Sequence, residues 1–411
     1  MEKQVVAGSF SLIKKINTSL ILNTIRERGT ISRAEIAKLT GLTPATVTNI
    51  TAELIRYDLV LEAERGESSG GRKPVMLKIN SDGYYVIGLN ICSNEVELIV
   101  SNLNADIIFE DRFYINRFIP SDNVLNTIIH KLKRWIQKNA DKKILGIGVG
   151  VHGLVSSQKG VSIFAPNLGW ENVPIKSMLE EGLGLPVFID NDVRTMTLGE
   201  SWFGSARDIS NFVFIYVGYG IGGSIVINNQ LYKGITEGAG EIGHTTIEIN
   251  GPRCSCGNHG CLQALASEQA LMQRAEEKLK QGSHSKIKEL QGDQTLTPET
   301  IYKAAAQDDS IAVELVKEQA KYLGVGIANL INTFNPASIV INGNLAKLSS
   351  IVMEIVHNEV QQRSMKFLQN SVNIIFSDLG EKAALKGAVA LVLSEIFNNP
   401  QDRRQELSKD A

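Results

Sequence analysis

Three of the four cysteines of this chain lie within eleven residues, in the segment GPRCSCGNHGC. Cys254, Cys256 and Cys261 follow His244, which lies ten residues upstream of the first of them in GEIGHTT. Three thiolates and one imidazole form a complete tetrahedral set for zinc, and four protein ligands leave no open position at which water could be activated. The spacing therefore predicts a structural zinc that holds a loop. The alternative is a chance crowding of buried thiols. Cys92, alone on a predicted strand, is interpreted as a small core residue.

The composition is that of a globular protein with more than one domain. The 411 residues exceed one ordinary core, and 43% hydrophobic with 21% charged residues are typical of soluble proteins. No apolar run approaches the roughly 18 residues of a membrane span, and MEKQVVAGSFSLIKK at the N-terminus lacks the apolar core of a signal peptide. Four cysteines are too few for a disulfide scaffold. We therefore expect two or three domains in a cytoplasmic protein with no membrane partner.

The first 80 residues differ in charge from the remainder of the chain. They hold 12 Lys and Arg against 8 Asp and Glu, whereas the remainder holds 30 against 36. A basic module on an acidic body favours a polyanionic partner for the module. The excess is modest, so a motif is needed to decide the question.

Three helices are predicted in this module. The second begins at a capping box of Ser32 and Glu35 and ends at Gly41. The third has Thr43 as its N-cap and Pro44 at its first position. Two short helices joined by a tight glycine turn predict a helix-turn-helix. The first helix, in SFSLIKKINTSLILNTIRERG, has these apolar residues at helical spacing: Ile13, Ile16, Leu20, Ile21 and Ile25.

The exposed face of the third helix is the predicted DNA-reading surface. Val47, Ile50 and Leu54 are expected to face inward, and small polar residues at the exposed start of this helix suit close approach to base edges in the major groove. Beyond it, VLEAERGESSGGRKPVMLKIN has two β-like runs around a basic Gly/Ser-rich tip, the pattern of a hairpin wing. The alternative is a three-helix docking module with a solvated loop. The predicted DNA contacts are Arg33, Thr43, Ala45, Thr46, Asn49, Arg72 and Lys73.

From about residue 84 the pattern changes to strands that alternate with helices. The strand-like runs are YYVIGLNI, EVELIVSNLNADII, ILGIGVGVHGLV, PVFIDND, NFVFIYVGYGIGGSIVINNQ and SIVINGN. This alternation predicts an α/β body of two lobes, and the polar segment 282–298 is predicted to be an insertion or loop. Long helices are predicted near 123–139, 193–203, 265–281, 297–335 and 381–397.

Several short motifs occur together in this body: GVHGLV, APNLGW, DNDV, GYGIGG and GEIGHTTIEINGPRCSCGNHGCLQ. On these motifs, and with the winged helix-turn-helix, the chain resembles the ROK family, which groups transcriptional repressors with sugar kinases. The resemblance covers residues 10–398. It implies an actin-like, hexokinase-like fold, in which two α/β lobes flank a cleft, and it implies zinc at the His and Cys positions named above. The wing and NGPRCSCGN are most similar to the xylose repressor branch.

The resemblance also predicts the domain boundaries. Residues 1–80 form the winged helix-turn-helix, and residues 81–195 form the first lobe together with the returning C-terminal helix at 380–398. Residues 196–379 form the second lobe with the zinc loop, and 399–411 form a flexible tail.

A sugar site in the cleft is implied by the same resemblance. Carboxylates and amides that converge can satisfy the hydroxyls of a pyranose, each of which donates and accepts. His244 would bind zinc through one ring nitrogen and leave the other for a hydroxyl. The family usually has Glu at the position of Gln263, so a mixed donor and acceptor replaces an acceptor-only group. The implied sugar contacts are Asn167, Asn191, Asp192, Glu241, His244 and Gln263.

The residues that kinases of this family use for phosphate are altered here. Asp192 matches their catalytic base. In GLNICSNEV, however, Asn90 stands where the kinases have Asp, and Cys-Ser-Asn stands for Gly-Gly-Thr, which removes a magnesium ligand and crowds the phosphate. Tyr219 replaces a threonine of the second phosphate loop, and Asn344 replaces a glycine of the nucleotide site. Because phosphoryl transfer depends on positioning and charge stabilisation, we predict that the protein is not an enzyme and that Asp192 anchors a ligand.

The resulting prediction is a sugar-responsive repressor of carbohydrate-utilisation genes. A homodimer or a dimer of dimers would present two winged helices to a palindromic operator and leave it when a monosaccharide binds. Xylose is the first candidate inducer because of the branch resemblance, and glucose or another aldose stays open. Two alternatives also stay open: an ATP-dependent sugar kinase with a fused DNA-binding module, and a repressor controlled by a protein partner.

Overall fold

The computed structural model describes residues 10–65, 74–282 and 284–398 of the chain. Two parts of the sequence prediction lie outside these residues: the tip of the wing, with Arg72 and Lys73, and the predicted C-terminal tail. Within the described residues, no helix combines the length and the apolar character that crossing a membrane requires.

The chain divides into two compact units. Residues 1–190 and 388–411 form the first, called unit 1, and residues 191–387 form the second, called unit 2. The winged helix-turn-helix and the sheet that follows it in the chain therefore belong to the same unit.

The N-terminal part of unit 1 is the predicted winged helix-turn-helix. Its elements are α1 (Phe10–Arg28), β1 (Ile31–Ser32), α2 (Arg33–Thr40), α3 (Pro44–Arg56), β2 (Val60–Arg65) and β3 (Val75–Ile79). Ser32 and Glu35 form the predicted capping box of α2, which ends at Gly41 with a left-handed φ of 69°. Thr43 caps α3 by accepting a hydrogen bond from the Thr46 amide, and Pro44 is its first residue. An antiparallel sheet in the order β1-β3-β2 completes the module.

Helix α1 is buried along only part of its apolar stripe. Ile21 and Ile25 are fully buried, whereas Ile13, Ile16 and Leu20 are 50%, 57% and 41% exposed. At 19 residues, α1 is longer than the 8 residues of α2 and the 13 of α3. The start of its apolar stripe therefore stays at the surface of the described chain.

The remainder of unit 1 is built on a five-stranded sheet in the order β11-β7-β4-β5-β6. Its elements are β4 (Tyr85–Ile91), β5 (Glu95–Asn102), β6 (Ile107–Tyr114), α4 (Ser121–Lys138), β7 (Ile144–Val151), β8 (Leu154–Ser156), β9 (Val161–Ala165), β10 (Trp170–Val173), α5 (Ile175–Leu183) and β11 (Val187–Asn191, whose last residue belongs to unit 2). Strand β4 runs parallel to β7 and antiparallel to β5. Strands β8, β9 and β10 form a separate small sheet. Leu125, Ile128 and Leu132 of α4 pack in the core of the larger sheet.

Unit 2 has a second five-stranded sheet, in the order β14-β13-β12-β15-β16. Its elements are α6 (Asp192–Phe203), β12 (Phe212–Val217), β13 (Ile221–Ile227), β14 (Gln230–Leu231), α7 (Leu262–Ala266), α8 (Glu268–Lys280), α9 (Lys286–Gln291), α10 (Pro298–Ala306), α11 (Ser310–Phe334), β15 (Ser338–Gly343), α12 (Ser349–Arg363), α13 (Lys366–Gln369) and β16 (Asn373–Phe376). Strand β12 runs parallel to β15 and antiparallel to β13. The hydrophobic core of unit 2 includes Leu323, Ile327 and Ile331 of α11.

The last helix, α14 (Ala383–Asn398), begins in unit 2 and continues in unit 1 from residue 388. Within unit 1 it lies directly against β7. A Cβ atom on Gly148 would collide with the Ala388 carbonyl, so this approach requires glycine.

The helix predicted near 193–203 is confirmed as α6, whereas the helices predicted at 265–281 and 297–335 are each interrupted by a polar cap. The segment predicted as one helix at 265–281 is α7 and α8, because Ser267 caps α8 by accepting from the Ala270 amide. The segment at 297–335 is α10 and α11, because the Asp309 carboxylate accepts from the Ala312 amide. The predicted loop at 282–298 contains α9, whose cap is Ser285.

Candidate functional site

The exposed face of α3 is the first candidate site. Val47, Ile50 and Leu54 are buried, as the helical period predicts. Thr46 is half-buried, and its hydroxyl lies 2.9 Å from that of Thr43. The exposed residues are Pro44, Ala45, Thr48, Asn49, Ala52 and Arg56. Thr48 and Ala52 are absent from the sequence-based set of DNA contacts, although they lie one and two turns beyond Ala45 on the same face.

Arg33, another predicted DNA contact, is held within the module. Its Nε donates to Thr51 Oγ1 at 3.1 Å, and its guanidinium donates to Glu62 Oε1 at 2.9 Å. Arg33 therefore joins the start of α2 to the buried side of α3 and to the wing strand β2. A role in binding DNA phosphate stays a prediction for this side chain.

The four predicted metal ligands converge in unit 2. One ring nitrogen of His244 and the sulphurs of Cys254, Cys256 and Cys261 all lie within 4.8 Å of one another. The loop is shaped by its backbone, because the Cys254 amide donates to the Asn258 carbonyl at 2.8 Å. An isolated bridge between Thr246 and Cys261 fixes its other end. Three sulphurs and one nitrogen at these distances can hold a metal ion.

The thiols of this cluster differ in their environments. Burial, with the neighbouring thiols, raises the pKa of Cys261 to about 12. A hydrogen bond from the Asn258 backbone lowers the pKa of the exposed Cys256. Thiolates this close together repel each other, and a bound cation compensates their charge.

His244 places its two ring nitrogens in different surroundings. Nδ1 lies 3.5 Å from Cys254 Sγ, and Nε2 lies 4.0 Å from Glu241 Oε2. Glu241 is exposed. A metal held through Nδ1 would fix the orientation of the ring and leave Nε2 and the Glu241 carboxylate as polar groups for a ligand.

Asn191 and Asp192 lie together at the N-terminus of α6. Asn191 Oδ1 accepts from the amides of Val193 and Arg194, at 3.0 and 3.1 Å. Asn191 Nδ2 donates to Asp192 Oδ1 at 2.7 Å, which also accepts from the Val193 amide. The helix start therefore fixes both side chains in position.

Both ends of the Gln263 side-chain amide make hydrogen bonds within the protein. Its Oε1 accepts from the Ile221 amide at 3.1 Å, and its Nε2 donates to Ser255 Oγ at 3.4 Å. It thereby connects the first residue of β13 with the segment 244–261, which contains the four candidate ligands and is called the metal-ligating loop below. The sequence predicts Gln263 as a sugar contact, and the geometry adds a bracing role that no local signal reveals.

Asn167 is the one predicted sugar contact in unit 1. It lies in the turn between β9 and β10, where it is exposed, and its Nδ2 is 3.1 Å from His152 Nε2. The sequence prediction does not include His152.

The segments in which the sequence departs from the kinase pattern make hydrogen bonds within the protein. In unit 1, the buried Asn90 donates through Nδ2 to Glu97 Oε2 at 2.8 Å, and burial raises the pKa of Glu97. In unit 2, the Gly218 carbonyl accepts from the Glu268 amide at 2.8 Å, and Asn344 Nδ2 donates to Glu268 Oε1 at 3.0 Å. The ring of Tyr219 is 59% exposed beside this turn.

Comparisons with known proteins agree with these motifs. The family model described as the ROK family matches residues 86–395, and a winged helix-turn-helix DNA-binding model matches residues 16–60. A xylose repressor of Caldicellulosiruptor bescii is 36% identical over 398 residues, which cover 96% of this chain and 99% of that protein. The crystal structure of a ROK family transcriptional regulator, a homologue of the E. coli MLC protein, has a TM-score of 0.84 at 30% identity and covers 94% of this chain and 97% of its own.

A kinase of the same family matches the body alone. The structure of a ROK family glucokinase from Streptomyces griseus, in complex with glucose and AMPPNP, has a TM-score of 0.65 at 25% identity. The match covers 75% of this chain and 99% of the glucokinase.

Proposed function

The chain belongs to the ROK family, and on that premise we propose that it is a transcriptional repressor that leaves its operator when a monosaccharide binds to its body. The observation that carries the proposal is the exposed face of α3, with Ala45, Asn49 and Arg56, in the same chain as a ROK body. Helix-turn-helix proteins read base edges with such a face. The similarity to a xylose repressor over 96% of the chain supports the same function.

The chain is a regulator of this family and not one of its kinases. Asn90, Tyr219 and Asn344 replace residues that the kinases use for phosphate and nucleotide. Asn90 and Asn344 each donate to a carboxylate of the protein. Asp192 accordingly acts as a ligand anchor in this proposal.

DNA binding is tested by two variants with different expected effects. Asn49→Ala should weaken binding to the operator by about 1–3 kcal/mol and change binding to random DNA little, because an amide on the exposed face of α3 reads a base edge. Lys73→Ala should weaken binding to both DNAs and reduce the salt dependence, because a wing lysine neutralises a phosphate. Both are measured by fluorescence anisotropy at several salt concentrations. An equal loss on operator and random DNA for Asn49→Ala would contradict the role given to α3.

The inducer is proposed to be a monosaccharide, with xylose as the first candidate. Asn167, Asn191, Asp192, Glu241 and His244 are the proposed contacts, because their amides, carboxylates and imidazole suit sugar hydroxyls. Gln263 supports the metal-ligating loop through Ser255, and this loop begins at His244. The sugar can shift DNA affinity only by its differential affinity for the DNA-binding and DNA-released forms, typically about 1–3 kcal/mol.

A thermal-shift screen of monosaccharides and ATP tests this proposal. One sugar should raise the unfolding temperature, and ATP should not. The same sugar should lower operator affinity in a gel shift. A sugar that strengthened operator binding would contradict the proposed sign, and turnover of ATP with that sugar would contradict the absence of kinase activity.

Zinc and a homodimer complete the proposal. His244, Cys254, Cys256 and Cys261 would hold one zinc, which would order the loop and take no part in chemistry. A homodimer would present two α3 helices to the half-sites of a palindromic operator.

A further inference from the structure

His152 occupies a position that the fold fixes on two sides. It lies in the turn between β7 and β8, and its amide donates to the Ile91 carbonyl at 3.2 Å. The next residue, Gly153, has a φ of 102°, and a Cβ atom there would collide with the Phe164 carbonyl and with Ala165. The turn therefore lies directly against the end of β9, and the imidazole is brought to the loop that follows this strand.

The backbone of the loop that contains Asn167 is also fixed by the fold. The Leu168 amide donates to the Ala165 carbonyl at 3.0 Å, and the Leu168 side chain is buried. Asn167 itself is exposed, and its Nδ2 lies 3.1 Å from His152 Nε2. Its Oδ1 has no hydrogen-bond partner among the described residues.

The chemistry of this contact sets its direction. The contact joins Asn167 Nδ2 to His152 Nε2, and because an amide nitrogen only donates, it requires the tautomer in which Nε2 accepts and Nδ1 carries the proton. In that tautomer the ring holds the amide of Asn167 in one orientation, with Nδ2 turned to the ring and Oδ1 left as an acceptor.

We propose that His152 is a positioning residue for sugar binding, which fixes the amide of Asn167 so that its carbonyl oxygen meets a donating sugar hydroxyl. The inference rests on the proposed function. It also states a selectivity, because the sugar group that meets Asn167 must donate a hydrogen bond. A hydroxyl does so and a methoxy oxygen does not.

Calorimetric titration of the metal-loaded full chain with D-xylose and with D-glucose tests the inference. His152→Leu removes the acceptor and should weaken the sugar that binds by about five- to tenfold, the typical effect of one hydrogen bond. His152→Gln, whose amide oxygen can accept from Asn167, should restore most of this affinity. Asn167→Ala should lose at least as much as His152→Leu, and the double variant should lose no more than Asn167→Ala alone.

A second measurement, made without sugar, tests the contact itself, so that a variant with weaker sugar binding caused by misfolding does not mislead. Nitrogen-15 NMR of the histidine rings should show His152 as the Nδ1–H tautomer at pH 8, and Asn167→Leu should abolish this preference. An Nε2–H tautomer in the unaltered protein would overturn the assignment, as would unchanged sugar affinity in His152→Leu or additive losses in the double variant. If the unaltered protein bound neither sugar, the role in sugar binding would fall together with the proposed function. Normal binding with an unaffected His152→Leu would remove the role of His152 alone.

Discussion

Two loops of unit 2 differ in how their polar groups are paired. In the turn at Gly218, the carbonyl is paired with the Glu268 amide, and the Glu268 carboxylate is paired with Asn344. In the metal-ligating loop, a nitrogen and three sulphurs converge within 4.8 Å. The first loop satisfies its polar groups with groups of the protein. The second brings together four ligand atoms that could hold a metal ion.

This difference predicts how the two loops respond to a ligand. A polar group that already has a partner gains little from a ligand, since binding must first break the existing hydrogen bond. Converging donors gain the full interaction, because leaving them unpaired is unfavourable. We therefore expect ligand removal to matter greatly in the metal loop and ligand addition to have no effect at the Gly218 turn.

The largest expected effect is the loss of the metal. Cys254→Ser should lower the zinc content from about one per chain to near zero and reduce the free energy of unfolding by about 3–5 kcal/mol, because a structural metal contributes directly to folding. Metal analysis and denaturant unfolding measure the two effects. Cys92→Ser is the matched control, since its thiol lies in unit 1. A Cys254→Ser protein with full metal content and unaltered stability would remove the distinction between the two loops.

The next effect concerns the paired loop. Asn344→Ala removes the donor to the buried Glu268 carboxylate and should cost about 1–3 kcal/mol of stability, the range for an unsatisfied buried group. It should not create ATP binding, because Glu268 stays in place. Denaturant unfolding and a thermal shift with ATP and magnesium measure both. Tight ATP binding by this variant would show that Asn344 alone excludes the nucleotide.

The contribution of Glu268 to the free energy of unfolding depends on pH. Burial raises the pKa of Glu268 above its ordinary value of 4.5. The folded state therefore binds the proton more tightly than the unfolded state, so the stabilising contribution of this group is present below pH 4.5 and is lost as pH rises through the folded pKa.

Glu268→Gln should consequently gain stability relative to the unaltered protein between pH 4.5 and 8, by about 1 kcal/mol. Unfolding at the two pH values measures this gain. Glu276→Gln, on the exposed part of the same helix, should show no such gain. Equal pH dependence in the two variants would contradict the burial argument.

The sequence predicts those features whose signals lie close together in the chain. The ends of α2 and α3 follow from Ser32, Glu35, Thr43 and Pro44, because capping acts within three residues. The metal cluster follows from four ligands in one short segment. The exposed half of α1 does not follow from its apolar spacing, since the period marks a stripe and cannot tell how much of it the neighbouring helices cover.

Contacts between segments that are distant in the sequence cannot be predicted from local sequence signals. Glu268 and Asn344 are 76 residues apart, and the hydrogen bond between them depends on how α8 and the end of β15 pack. The pairing of Asn167 with His152 likewise needs the turn at Gly153 to lie against β9. Glycines at positive φ point to close approach, but they do not name the partner.

The smallest expected effect concerns the side chain that joins the two loops. Gln263→Leu removes its hydrogen bonds to Ile221 and Ser255, so the metal loop should lose support and release zinc to a chelator about three- to tenfold faster, the equivalent of about 1 kcal/mol. Gln263→Glu keeps an acceptor for the Ile221 amide and should release zinc at nearly the original rate. Chelator kinetics followed by absorbance measure both. If Gln263→Leu lost sugar affinity while its zinc release stayed unchanged, Gln263 would act as a direct sugar contact, and the two loops would be independent of each other.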